Sequence, residues 1–247
     1  MKWEDKLTLL HCIASDLQAI HSQNYIHRDL HSGNILQDTL QSANIADLGL
    51  SVTTSKSLRI ESKGVYGILP YIPPEVLNNQ PYTTASDIYS FGIIMWEILF
   101  GIPITAIYAL LHKYFEPLEV LIVLNELRPP IFENLESCYI HFMKRCWEND
   151  PEKRPSAVEI CGTFAEWQNN KKILFELNEY DKTMRQLMKG KLIIVINDNS
   201  KLSIEIKDNV NYSKEIYTDQ FFNFITSQSI INHLESNEDS LNSFLRN

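Results

Sequence analysis

The sequence predicts a mainly α fold, a helical bundle with one short β-ribbon. Three observations predict it. Apolar residues recur at three- and four-residue steps over residues 5–22. Residues 88–111 are mostly apolar and are divided by a Gly101-Ile102-Pro103 break. Two short segments, 34–37 and 43–46, flank the polar stretch Gln37-Asp38-Thr39-Leu40-Gln41-Ser42, which reads as a hairpin turn.

Taken in order, residues 5–22 form an amphipathic helix with Leu7, Leu10, Ile13, Ala14, Leu17 and Ile20 on one face. Its His11 and His21 read as surface or packing residues rather than ligands. A loop follows at 25–34, then the ribbon, which carries Asn34 and Asp47 to one edge. Residues 50–72 lack strong periodicity and are rich in hydroxyls: Ser51, Thr53, Thr54, Ser55, Ser57, Ser62 and Tyr66. A short helix is expected at 73–79, after Pro73-Pro74. The run 88–111 is apolar on all sides, so it is either buried or membrane-spanning. Glu97, Ser90 and Pro103 lie within it, and the central break divides it. Further helices are expected at 116–127 and 135–147, either side of Arg128-Pro129-Pro130. Another is expected at 155–169, with Pro155 in its first turn.

Residues 171–247 differ in composition. They are rich in Asn, Ser and Lys, contain no Pro and have Gly190 as their single glycine. They read as a C-terminal extension, partly helical and loose at its end. The run Leu192-Ile193-Ile194-Val195-Ile196 suits a strand or a helix equally. The expected division is therefore residues 1–170 and residues 171–247.

The 247 residues carry a formal net charge of -9. Residues 1–170 hold 12 basic and 20 acidic side chains, and residues 171–247 hold 10 and 11. This balance argues against nucleic acid or an anionic membrane as a primary partner. The four cysteines, Cys12, Cys138, Cys146 and Cys161, form no Cys-x-x-Cys pair. They read as reduced thiols of a cytoplasmic protein. The charged start Met1-Lys2-Trp3-Glu4-Asp5-Lys6 lacks the apolar core of a signal peptide.

The chemistry concentrates in Ile26-His27-Arg28-Asp29-Leu30-His31-Ser32-Gly33-Asn34-Ile35-Leu36 and in Asn44-Ile45-Ala46-Asp47-Leu48-Gly49. An Asp, an Asn and a second Asp across a hairpin can hold Mg²⁺ and orient a hydroxyl nucleophile. Oxygen ligands suit that hard cation, which keeps part of its coordination shell for phosphate and water.

Five motifs in order resemble the C-terminal lobe of a protein kinase. They are His27-Arg28-Asp29 with Asn34 at the fifth position after the Asp, and Asp47-Leu48-Gly49 in place of Asp-Phe-Gly. Then come Pro73-Pro74-Glu75 in place of Ala-Pro-Glu, and Ser86-Asp87-Ile88-Tyr89-Ser90-Phe91-Gly92. The last is Arg145-Cys146-Trp147 running on to Pro151-Glu152-Lys153-Arg154-Pro155. The pattern Leu-His-Ser-Gly-Asn looks closest to the tyrosine-kinase-like branch, and the resemblance ends at about residue 170.

The resemblance implies ATP and Mg²⁺ as cofactors and a protein as substrate, with Ser or Thr hydroxyls ahead of Tyr. It implies that Asp29 takes or hydrogen-bonds the proton of the attacking hydroxyl, and that Asn34 and Asp47 bind Mg²⁺ and through it ATP. Leu36 would lie beneath the adenine. Residues 84–100 would be the buried central helix, residues 50–72 the activation segment, and Arg28 the partner of a phosphate added there. Glu75 would pair with Arg154, and Asp87 would accept backbone N–H bonds from the catalytic loop.

Departures from the pattern set further expectations. His31 stands where serine/threonine kinases usually carry Lys, and a partly protonated His31 would replace some of that charge. Gly67-Ile68 stands in place of Gly-Thr, and Gly33 in place of the tyrosine-kinase Arg. No Gly-x-Gly-x-x-Gly occurs, so the N-terminal lobe is expected to be missing. The cleft would then be covered by such a lobe or by a partner protein, leaving this chain alone weak or inactive. The alternative is a pseudokinase-like binding module or scaffold.

Overall fold

The computed structural model describes residues 1–57, 65–111, 122, 127–132, 135–187, 192–196, 202–206 and 223–225. The described chain is mainly helical with a few short strands, and it divides into two compact units. The first comprises Met1–Asn125 and Ser137–Glu179, the second Glu126–Glu136 and Tyr180–Asn247.

In the first unit, α1 spans Trp3–Ser22. Five of its six expected face residues, Leu7 to Leu17, are buried, and Ile20 is half-buried. Asp16 Oδ2 accepts the Ile45 N–H at 2.8 Å, which ties this helix to the ribbon. The ribbon is β2 (Ile35–Thr39) paired antiparallel with β3 (Ser42–Ile45), in the register Ile35↔Ile45 and Gln37↔Ala43. The strands reach further into the polar stretch than expected, past an irregularity between Gln37 and Thr39, so the turn itself is Leu40-Gln41. A second pairing had no sequence signal. Here β1 (Tyr25–Ile26) pairs antiparallel with β4 (Val52–Thr53), and the helical turn α2 (Thr54–Ser57) follows.

The turn α3 spans Pro74–Leu77, and α4 spans Thr84–Phe100. Helix α4 is buried along nearly its whole length. Gly101 ends it in the left-handed conformation (φ 71°), donating to Glu97 O at 2.7 Å. The Gly101-Ile102-Pro103 break thus separates α4 from α5 (Ile104–Leu111). Among the described residues no helix is long and apolar enough to cross a membrane.

Helix α6 (Cys138–Cys146) begins at Ser137, whose Oγ accepts the Ile140 N–H. Helix α7 (Ala157–Asn169) begins at Ser156, whose Oγ accepts the Glu159 N–H. Pro155 therefore precedes the cap rather than lying in the first turn, because the serine supplies the acceptor that the free N–H groups need. The helix expected at 116–127 lies outside the described residues, apart from Ile122 and Leu127.

Aromatic rings close the core of this unit. Trp3 meets Tyr139 edge-on at 5.0 Å, Phe142 meets Trp167 at 5.6 Å, and Phe91 lies 6.1 Å from Phe164. Gly92 lets α6 approach α4, since a Cβ there would fall 2.8 Å from Cys146 Cβ. Gly92→Ala is expected to lower stability by about 1–3 kcal/mol through overpacking. Urea unfolding measures it, and an unchanged midpoint would mean that the contact has slack.

Helix α8 spans Lys171–Leu187. In the second unit the run at 192–196 is a strand. Here β5 (Leu192–Ile196) pairs antiparallel with β6 (Leu202–Ile206) and parallel with β7 (Asn223–Ile225). The loose end expected at the C-terminus lies outside the described residues.

Candidate active site

After β1 the chain turns sharply. Arg28 has φ 69°, a conformation that costs a non-glycine residue free energy and persists only when its surroundings over-determine it. The surroundings here are specific. Asp87, buried at the start of α4, accepts the His27 N–H on Oδ2 at 2.9 Å and the Arg28 N–H on Oδ1 at 3.0 Å. Arg28 Nε donates to Leu50 O at 2.7 Å, and its guanidinium lies 5.1 Å from the Tyr66 ring and 5.7 Å from the Tyr82 ring. Asp87 thus takes the anchoring bonds the sequence led us to expect.

A third contact was missed. His21 Nε2 lies 2.8 Å from Asp87 Oδ2 and its side chain is 11% exposed, so it is neither a surface residue nor simple packing. It lies in the last turn of α1, and its local sequence carries no sign of this partner.

His27 is fully buried and bridges two segments. Its Nδ1 accepts the Asp29 N–H at 3.3 Å, and its Nε2 lies 3.1 Å from Ala46 O. The first nitrogen being an acceptor, the second carries the proton and donates. The single-turn 3₁₀ segment Ser32–Asn34 follows. Asn34 Nδ2 donates to Asp29 O at 2.8 Å, and the Ala46 N–H donates to Asn34 O at 2.8 Å. These bonds bring Asp29, Asn34 and the residue before Asp47 together. With its amide nitrogen used, Asn34 keeps its oxygen as a ligand atom. Asp47 has φ 59°, and its Oδ1 accepts the Gly49 N–H at 3.1 Å. Asn34 and Asp47 are hard oxygen donors of the kind Mg²⁺ takes.

Across from Asp29 lies Gly67, where an added Cβ would stand 3.4 Å from Asp29 Oδ1 and where φ is 106°, so glycine suits the position. His31 Nε2 is 3.8 Å from Asp29 Oδ1, while its Nδ1 accepts the Gly33 N–H at 3.1 Å. Leu36 and Leu48 are 57% and 55% exposed.

A further network was not legible in the sequence. Tyr71 OH donates to Glu97 Oε1 at 2.7 Å and lies 3.0 Å from Ser32 Oγ, joining α4 to the loop between His31 and Gly33. Burial, opposed by the Ser32 hydrogen bond and reinforced by the Glu97 charge, pushes the Tyr71 phenol above its ordinary range, so it stays a donor. Behind the site, Arg154 and Glu75 form the expected pair, both contacts at 2.7 Å. Of the hydroxyls at 50–72, Ser57 is buried and donates to Tyr82 O at 2.6 Å, Tyr66 is exposed, and Ser62 lies outside the described residues.

The sequence was compared with known proteins. The model of the family described as protein tyrosine and serine/threonine kinase matches residues 1–164. Serine/threonine/tyrosine-protein kinase HT1 of Arabidopsis thaliana is 34% identical over 164 residues, covering 64% of this chain and 38% of that protein. Serine/threonine-protein kinase STY17 of the same plant is 31% identical over 151 residues, covering 60% and 25%. A mitogen-activated protein kinase kinase kinase of Drosophila melanogaster is 32% identical over 164 residues, covering 60% and 13%. The chain therefore spans well under half the length of these relatives, whose names fit the tyrosine-kinase-like branch. By the match over residues 1–164 and by these relatives, the chain belongs to the protein tyrosine and serine/threonine kinase family.

Proposed function

We propose that residues 1–170 are the C-terminal lobe of a protein kinase that transfers the γ-phosphoryl group of ATP to Ser or Thr hydroxyls of a protein, less readily to Tyr, in cytoplasmic signalling. Residues 171–247 are its C-terminal extension. The observation that carries this reading is the pair of hydrogen bonds through Asn34, which link Asp29 to the segment entering Asp47.

Asp29 orients the substrate hydroxyl and accepts its proton. His31, close to that carboxylate, supplies the polar contact for which other members use Lys. Arg28 holds the loop against Leu50 and stands ready for a phosphate in the 50–72 segment. Asn34, through its amide oxygen, and Asp47 hold Mg²⁺, and Leu36 supports the adenine. The metal, when bound, neutralises the phosphate charge that builds up during transfer. Phosphoryl transfer asks a protein mainly for positioning and charge, which is what the Asp87 anchor and the Asn34 bonds provide.

These residues provide one side of the site. A Gly-rich cover over the phosphates comes from outside the 247 residues, in an N-terminal lobe or a partner protein. Phosphoryl transfer by these residues alone is expected to be weak or undetectable. The exposed Leu36 and Leu48 favour a second reading, in which the lobe is a binding module whose cleft edge is held by another protein.

Calorimetric titration with ATP tests the first reading. Binding is expected to be weak, to require Mg²⁺ and to fall about 10- to 100-fold or more in Asp47→Asn. Equal binding without Mg²⁺, or in the variant, would refute the metal assignment. No binding by folded protein would favour the second reading.

A further inference from the structure

Two departures from the family pattern meet in one place. His31 stands where serine/threonine kinases usually carry Lys, and Gly33 where tyrosine kinases carry Arg. The His31 ring folds back over Gly33. Its Nδ1 accepts the Gly33 N–H at 3.1 Å, and a Cβ added to Gly33 would stand 2.9 Å from both Nδ1 and Cε1 of that ring. Chain neighbours aside, no other atom lies within 4 Å of that point. Gly33 is not left-handed, so its backbone conformation does not call for glycine. The ring calls for it. The ring also lies 5.9 Å from that of Tyr71, which Ser32 and Glu97 fix in turn. So held, the His31 side chain is 16% exposed.

A ring nitrogen that accepts an N–H bond carries no proton of its own, so the ring proton sits on Nε2. Nε2 lies 3.8 Å from Asp29 Oδ1. That is longer than a direct hydrogen bond, so the N–H acts on the carboxylate as a nearby dipole. A lysine could not take this seat, because an ammonium group has no acceptor for the Gly33 N–H.

We propose that Gly33 is a positioning residue. By lacking a side chain it seats the His31 ring with its protonated nitrogen beside Asp29. The two departures are then one unit, since the ring in this place and a side chain at position 33 exclude each other. The consequence for catalysis rests on the reading of Asp29 as the group that takes the substrate proton. The seating of the ring does not.

Nitrogen and carbon NMR of the full chain in neutral buffer tests it. A coupling transmitted through the hydrogen bond is expected between the Gly33 amide nitrogen and His31 Nδ1, with the ring proton on Nε2. Gly33→Ala is expected to abolish that coupling and leave the signals of α4 in place, because the ring is free to swing away. It is also expected to move the Asp29 carboxyl carbon signal in the same direction as His31→Ala does. The double variant is expected to move it no further than His31→Ala alone. In His31→Ala, exchange at the Gly33 amide is expected to rise roughly three- to tenfold, the worth of one hydrogen bond. Should Gly33→Ala fail to fold, the coupling in the unaltered chain and the two readings on His31→Ala still decide. A proton on Nδ1, a coupling that survives Gly33→Ala, or an Asp29 signal that ignores His31→Ala would overturn the proposal. ATP binding, which tests Asn34 and Asp47, plays no part in these readings, so this proposal and that assignment fail separately.

Discussion

Glu75→Ala is expected to destabilise the first unit by about 3–5 kcal/mol, the cost of leaving one member of a buried ion pair uncompensated. The Arg154 side chain is fully buried and that of Glu75 is 13% exposed. Both terminal guanidinium nitrogens, Nη1 and Nη2, meet the carboxylate at 2.7 Å. Arg154 cannot leave easily. It also donates to Ala85 O at 2.9 Å and Glu148 O at 2.8 Å, and it lies 5.2 Å from the Tyr89 ring. After Glu75 is removed the charge stays in place with carbonyl partners alone. Removing both charges, as Glu75→Leu with Arg154→Met, is expected to cost clearly less than the two single changes together, because no lone charge remains. Urea unfolding of Glu75→Ala, of Glu75→Leu and Arg154→Met singly, and of the double variant measures this. A loss of under about 1 kcal/mol for Glu75→Ala, typical of an exposed pair, would show that water reaches the guanidinium.

Asp87→Ala is the second change with a large expected effect. Asp87 accepts two backbone N–H groups and the His21 ring nitrogen, and it is 1% exposed. Its loss strands two main-chain donors at about 1–3 kcal/mol each, so roughly 2–6 kcal/mol in all. It also frees Arg28 from the conformation that the anchor imposes. Hydrogen exchange at the His27 and Arg28 amides is expected to accelerate more than tenfold, ahead of any change in the centre of α4. Asp87→Asn is expected to do nearly as badly, since an amide nitrogen turned toward an N–H donor repels it. Exchange at the two amides as slow in Asp87→Ala as in the unaltered chain would mean that the turn holds itself.

Much of this was legible in the sequence because the signals are local. The three- and four-residue rhythm of α1 survives in its buried face. The apolar run that ends at Gly101 is a helix because its residues favour burial on every side and glycine accepts the left-handed cap. The polar stretch between residues 37 and 42 marked a hairpin, although the strands extended into it. Asp29, Asn34 and Asp47 were singled out by motif order, and hydrogen bonds join Asn34 to Asp29 and to the residue before Asp47. The Glu75–Arg154 pair was found the same way, although its members lie far apart in the chain.

The misses share a cause. His21 on Asp87, Tyr25 and Ile26 beside Thr53 and Val52, and Tyr71 between Glu97 and Ser32 are polar or short-strand contacts between distant segments. A histidine at a helix end has the same local sequence whether its ring meets water or a buried carboxylate. The apolar run Leu192–Ile196 had no rhythm to separate strand from helix, and only its pairing with Leu202–Ile206 decided it. By itself, then, the sequence marked the helices α1, α4, α6 and α7, the acids and amide that gather at one loop, and the family to which they point. The tertiary structure alone decided that His21 joins Asp87 in anchoring that loop, because a buried acceptor chooses among donors by proximity. It also decided that Glu97 keeps one buried oxygen without a hydrogen-bond partner among the described residues, because the Tyr71 hydroxyl and the Ile104 N–H both meet the other.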